Sequence, residues 1–128
     1  RGAARVFGLP LRPSRGVTVD DYYKPDHLPR FGEIADGAEE LAKKFFDWYG
    51  AVFAEGALTV REKALIGLAL SHSVRGPYCI DAYSKKCLES GSDLEQMTEA
   101  VHCAAAINGG AALVHGLQMC DQVQRSTM

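Results

Sequence analysis

Two short signatures, Thr59-Val60-Arg61-Glu62 and Ser92-Asp93-Leu94-Glu95, commit the second half of this chain to helices. Each is a capping box, in which a side-chain oxygen and a carboxylate three residues on satisfy each other's orphan backbone donors. Between them, Pro77 suits a first helical position, since its missing N–H would be unpaired there and its φ is already helical. Gly91 suits the left-handed residue that closes a helix. This punctuation predicts helices over about 60–74, 77–90 and from Ser92 to about 107. A last helix is expected over about 110–125, after Asn108-Gly109-Gly110 breaks or kinks the chain. The alternative is one continuous helix whose glycine pair admits a close neighbour.

Upstream, residues 38–55 place Leu41, Phe45, Trp48, Val52 and Phe53 near one face, which predicts an amphipathic helix ended by Gly56. The 60–74 helix is apolar almost all round, the mark of a central, buried element. Residues 1–36 hold four of the five prolines and little periodicity, and read as an irregular arm with a short helical turn around 27–34. No segment alternates with strand period. The expected fold is all-α: an arm over 1–36 and a domain of five or six helices over 37–128.

At 128 residues the chain fits one domain with a real core. A formal net charge of −2 gives no electrostatic reason to expect nucleic acid. No apolar run is expected to approach the roughly 18 residues of a membrane span. Four cysteines in alanine-rich helical surroundings suggest reduced thiols in a cytoplasmic protein. The chain begins at Arg1, so trimmed upstream residues are expected, and no apolar stretch there suggests a secretory signal. Arg1, Arg5, Arg12 and Arg15 make the arm basic. It would bind an anionic partner or, as the plainer reading, pack along its own domain or a neighbouring subunit.

Chemistry concentrates in Arg75-Gly76-Pro77-Tyr78-Cys79-Ile80-Asp81-Ala82-Tyr83. With Gly76 at the N-cap, Cys79 falls among unpaired N–H groups at the positive end of the helix dipole, a setting that favours the reactive thiolate. The alternative is a small buried residue, the common fate of free cysteine and the reading for Cys87, Cys103 and Cys120. Cys87 is about 12 Å further along the same helix, too far for a disulfide with Cys79. Tyr83, one turn after Cys79, would donate to the sulfur or to an oxidant, or simply fill an interface. Glu62 shares a stripe with apolar residues that would raise its pKa for proton relay, although the capping box explains it without chemistry. His72 precedes the turn that delivers Cys79 and would pair with its thiolate or complement the dipole. Asp81 suits an early helical position for structural reasons alone. His102 and His115 read as core or interface histidines, with His115 also placed to line a pocket. No ligand spacing points to a metal, and no cofactor is implied.

Three stretches resemble the carboxymuconolactone decarboxylase family, over about residues 38–120. They are Glu62-Lys63-Ala64-Leu65-Ile66-Gly67-Leu68-Ala69, Pro77-Tyr78-Cys79-Ile80-Asp81-Ala82, and Glu99-Ala100-Val101 with Asn108-Gly109-Gly110-Ala111. The likeness is strongest to the alkylhydroperoxidase D-like branch. Asp81-Ala82-Tyr83 and Val114-His115-Gly116 look most like peroxidase-like proteins associated with arsenosugar biosynthesis. The resemblance implies an all-α fold, a trimer or trimer-based hexamer, and thiol reduction of hydroperoxides. In that branch a Cys-x-x-Cys pair works with an upstream glutamate and a histidine four residues after the second cysteine. Cys79 matches the second cysteine. Gly76 stands where the first would be, Tyr83 at the histidine and Ala64 at the glutamate. Three origins fit Gly76: a natural loss, an engineered replacement, or a stand-in for cysteine or selenocysteine.

The leading expectation is therefore a peroxidase-like thiol oxidoreductase, reducing hydroperoxides through Cys79 with an external thiol as reductant and Gly76 limiting turnover. The alternative is a non-catalytic small-molecule binding protein, with arsenicals as fitting ligands because trivalent arsenic binds thiolates. Lactone decarboxylation lacks a visible acid–base set and ranks last.

Overall fold

The computed structural model describes residues 23–128, together with the backbone of Arg5–Val6 (β1) and Leu9–Pro10 (β2), which pair antiparallel with Arg5 opposite Pro10. The basic side chains of the arm lie outside the described residues. A 3-10 segment, Pro25–Gly37, comes next, longer than the turn expected around 27–34. Five α-helices then follow: α1 Glu39–Phe53, α2 Val60–Ser73, α3 Pro77–Glu89, α4 Leu94–Val114 and α5 Gly116–Thr127. The architecture is all-α. α2 packs against both α3 and α4 and touches α1, while the 3-10 segment lies across α1 and α3.

α2 opens on the expected capping box. The Glu62 N–H donates to Thr59 Oγ1 (3.1 Å) and the Thr59 N–H donates to Glu62 Oε1 (3.0 Å). Ala64, Gly67, Leu68 and Ser71 form its buried stripe. The other side, with Ile66, Leu70 and Val74 (72% exposed), is left uncovered, so α2 is central but not enclosed all round.

α2 and α3 both close with paired 6→1 and 5→2 backbone bonds. Gly76 N–H meets Ser71 C=O and Arg75 N–H meets His72 C=O; Ser92 N–H meets Cys87 C=O and Gly91 N–H meets Leu88 C=O. Gly91 takes the left-handed conformation as expected (φ 87°). At the end of α2 that conformation falls on Arg75 (φ 55°), at a cost of about 1 kcal/mol, and the glycine beside it does not take it.

The box that opens α4 sits one residue later than expected. Asp93 caps the Gln96 N–H and Gln96 reaches back to Asp93. This phase turns Met97 and Ala104 inward and buries Ser92, whose hydroxyl has no partner among the described residues. α4 runs unbroken through Asn108-Gly109-Gly110, so the expected break there is not found. Its polar tie to α2 is Ser73 Oγ donating to Asn108 Oδ1 (2.9 Å). A Cβ at Gly109 or Gly110 would meet nothing within 4 Å, so the glycine pair admits no close neighbour among the described residues. Only His115 (φ −68°, ψ −16°) separates α4 from α5.

In α1 the inward residues are Ala42, Phe46, Tyr49 and Phe53. The stripe expected to face the core, Leu41, Phe45, Trp48 and Val52, is instead exposed. Leu94–Thr127 is also long and apolar enough, by length and composition, to cross a membrane, with a mean hydropathy of 1.3 over its best window. The expectation that no segment approaches a span is corrected on that count.

The core joins Ala64, Leu68, Tyr83 and Cys87, with Tyr49, Phe53, Leu65, Ala82 and Met97 around it. Gly67 is required here: a Cβ would lie 2.6 Å from the Tyr83 ring. Gly67→Ala should lower unfolding free energy in urea by about 1–3 kcal/mol through overpacking. That loss would come despite the roughly 1 kcal/mol alanine otherwise gains over glycine in a helix. Unchanged or increased stability would mean that the ring is not packed against α2.

Candidate functional site

Gly76 is the N-cap of α3 and Pro77 its first residue, so Cys79 sits in the opening turn as expected. The thiol is exposed and lines a cavity of about 940 Å³ between the 3-10 segment, α1 and α3. α3 supplies Tyr78, Cys79, Ala82, Tyr83 and Lys86, a stripe at helical spacing. α1 faces it with Phe46, Tyr49 and Phe53, and the 3-10 segment closes the side with His27, Leu28 and Phe31.

Aromatic rings make up much of the wall. Phe31 meets Phe46 edge-on (5.1 Å between centroids), Tyr49 meets Phe53 (5.0 Å), and Phe53 meets Tyr83 (5.0 Å). Tyr78 pins the 3-10 segment to α3. Its hydroxyl accepts from the Lys24 N–H (3.1 Å) and bonds to His27 Nδ1 (3.2 Å), and its ring packs against Tyr23.

Tyr83 is buried one turn from Cys79, and its hydroxyl is hydrogen-bonded to that of Tyr49. Burial first, then the bond to Tyr49 and the nearby Cys79, raises the phenol well above its ordinary pKa. It therefore stays protonated at any working pH. Two hydroxyls sharing one hydrogen bond leave one O–H proton free for sulfur or ligand. Tyr49 is the functional candidate that sequence reasoning missed. It lies 34 positions from Tyr83, and no local spacing connects them.

The other candidates are dispersed. Glu62 is exposed and absent from the cavity wall; its hydrogen bonds with Thr59 lower its pKa, opposite to the rise expected from an apolar stripe. Ala64, at the resemblance's glutamate position, is buried in the core. His72 donates from Nδ1 to the Leu68 carbonyl (2.9 Å) in its own helix and does not line the cavity. His115 is exposed at the α4–α5 joint, away from the cavity lining, and His102 is exposed on α4. Asp81 accepts from Lys85.

Cys87 is fully buried, and burial raises its thiol pKa, the signature of an inert sulfur. Cys103 and Cys120 are exposed, not in the core as expected. Among the described residues no group of three or more His, Cys, Asp or Glu is arranged to hold a metal ion.

A sequence model described as "Carboxymuconolactone decarboxylase family" matches residues 39–122. The chain is 34% identical over 106 residues to "Uncharacterized protein 4 in cox locus" of Paracoccus denitrificans, covering 80% of this chain and 96% of that protein. It is also similar to a crystal structure from Methanobacterium thermoautotrophicum, with a TM-score of 0.64 and 34% identity. That match covers 67% of this chain and 97% of the other.

Proposed function

The chain belongs to the carboxymuconolactone decarboxylase family, and from that premise we propose that it is a thiol oxidoreductase that reduces hydroperoxides at Cys79. One observation carries the reading: an exposed sulfur in the first turn of a helix opens into an aromatic pocket beside a buried, protonated tyrosine. The Cys79 thiolate attacks the outer peroxide oxygen. The O–O bond breaks, an S–O bond forms, and the leaving oxygen, hydrogen-bonded by the Tyr83–Tyr49 pair, takes its proton from solvent. The products are a sulfenic acid and an alcohol; the sulfur is oxidised by two electrons and the peroxide reduced by two. Tyr83 acts as a hydrogen-bond donor to the departing oxygen, never as a base.

Resolution comes from outside. An external thiol condenses with the sulfenic acid, releasing water and leaving a mixed disulfide. A second equivalent then frees Cys79. Gly76 supplies no sulfur, so turnover is slow and single-turnover oxidation is the diagnostic step.

The uncovered apolar stripes of α1, α2, α4 and α5 support a homo-oligomer, a trimer or hexamer, as the working form. Four free thiols, three of them exposed, support a reducing, cytoplasmic setting.

The test is mass spectrometry after brief exposure to cumene hydroperoxide with dimedone as trap. Wild type should carry one dimedone adduct at Cys79; Cys79→Ser should carry none in the 77–89 segment. Tyr83→Phe should slow adduct formation about tenfold or more if its hydroxyl assists the leaving oxygen. Cys79 left unmodified while glutathione in the same solution is oxidised would sink the catalytic reading and leave a binding protein on this fold.

A further inference from the structure

The pocket is far larger than the reaction at Cys79 requires. A volume of about 940 Å³ would hold about thirty waters at roughly 30 Å³ each, most of them against aromatic and aliphatic walls. A small inorganic peroxide leaves that space wet; an organic chain displaces the water and gains the apolar contact.

The charge in the wall is one-sided. Among the described residues no aspartate or glutamate lines the pocket, and one lysine does, Lys86. Lys86 forms no ion pair among the described residues. It also borders a smaller hollow with Glu55, Arg61 and Glu89, so the residue lines both. Lys86 lies seven residues after Cys79 on the same stripe of α3, with Ala82 and Tyr83 between them. Two turns of helix separate the two Cα atoms by about 10 Å along the axis.

Resting on the assignment of Cys79 as the reacting sulfur, we infer that the pocket takes an apolar chain bearing a carboxylate, its anionic end at Lys86 and its reactive end at Cys79. The peroxide group and the carboxylate of the substrate then lie at opposite ends of the stripe that runs from Cys79 to Lys86. Ala82, the small residue between them, leaves the floor of this path open. The aromatic wall of Phe46, Tyr49 and Phe53 lies along it.

Decanoate, decanol and decylamine, titrated calorimetrically against the intact protein, test the assignment. Decanoate should bind about three- to fivefold tighter than decanol, and decylamine weaker than either, as one partly solvated ion pair allows. Lys86→Gln should abolish the preference for decanoate over decanol. Saturating decanoate should also slow iodoacetamide alkylation of Cys79, which locates the chain in this pocket. Equal affinity for decanoate and decanol, a preference that survives Lys86→Gln, or unprotected Cys79 would each overturn the assignment. Decanoate carries no peroxide bond, so the two readings fail separately. Selective binding with Cys79 inert to hydroperoxide ends the reaction and keeps the ligand class; oxidation without selectivity does the reverse.

Discussion

Gly76→Cys should convert a protein that turns over slowly into one that turns over fast with a small dithiol reductant. Nothing in the backbone asks for glycine at this position: its φ of −95° and ψ of 98° are ordinary for any L-residue. A Cβ built there lies 3.6 Å from the Cβ of Cys79 and 3.7 Å from its sulfur, with Val74 Cγ2 also at 3.7 Å. Disulfides span Cβ separations of about 3.5–4.5 Å, so the introduced thiol is within bonding reach without moving the helix. The sulfenic acid at Cys79 then condenses with a neighbour held beside it instead of waiting for a thiol to diffuse in. Steady-state peroxide consumption with dithiothreitol should rise about tenfold or more, the least that such proximity gives. Mass spectrometry should show two thiols lost together as an intramolecular disulfide. A variant whose sulfenic acid persists, or whose two sulfurs stay reduced under peroxide, would show that the turn is not built for a pair.

Leu113→Glu should take the protein apart. Leu113 is 80% exposed in the single chain, and Ile107, Val114, Leu117, Met119 and Val123 are exposed with it along α4 and α5. Trp48 (63% exposed) and its neighbours leave a second apolar stripe on α1, beside that of α2. Surfaces of this extent mark interaction sites, and we propose that a second copy of the chain covers them. Sedimentation velocity at micromolar concentration should give a trimer or hexamer for wild type and a monomer for Leu113→Glu. An unpaired carboxylate in such an interface costs several kcal/mol per copy. A wild type that sediments as a monomer without detergent would refute the assembly. One recovered only in detergent would make Leu94–Thr127 a membrane span instead.

The residues announced some of this more clearly than the rest. Thr59, Pro77 and Gly91 fix helix ends through bonds within one or two turns, and each stands where local chemistry places it. Ser92 and Asp93 are both good caps with a reciprocal partner three residues on. Only packing of Met97 and Ala104 chooses between them. Asn108-Gly109-Gly110 looked like a break because glycine costs about 1 kcal/mol in a helix, a cost the alanine-rich flanks absorb. In α1 two apolar stripes compete, and periodicity does not say which faces the domain. The left-handed Arg75 is imposed by the way α2 ends, against its own preference.

The site divides the same way. Cys79 and Tyr83 share one helix, so their proximity follows from a spacing of four. Tyr49 and Phe46 reach the pocket from α1, and Leu28 and Phe31 from a 3-10 stretch interrupted by Pro29, whose docking no local pattern foretells. Glu62 is the exposed cap that the capping-box reading describes, outside the pocket wall.

The Pro25–Gly37 segment has no buried residue of its own; the Tyr78 ring and hydroxyl tie it to α3, and Phe31 against Phe45 and Phe46 ties it to α1. An element held that lightly opens at far lower free energy than the three packed helices beneath it. Traffic to the sulfur therefore does not have to melt the bundle. Under the proposed reaction, reductants bulkier than the pocket itself would be admitted by peeling back this flap, and the rate of that peeling would set the ceiling on how fast oxidised Cys79 is recharged.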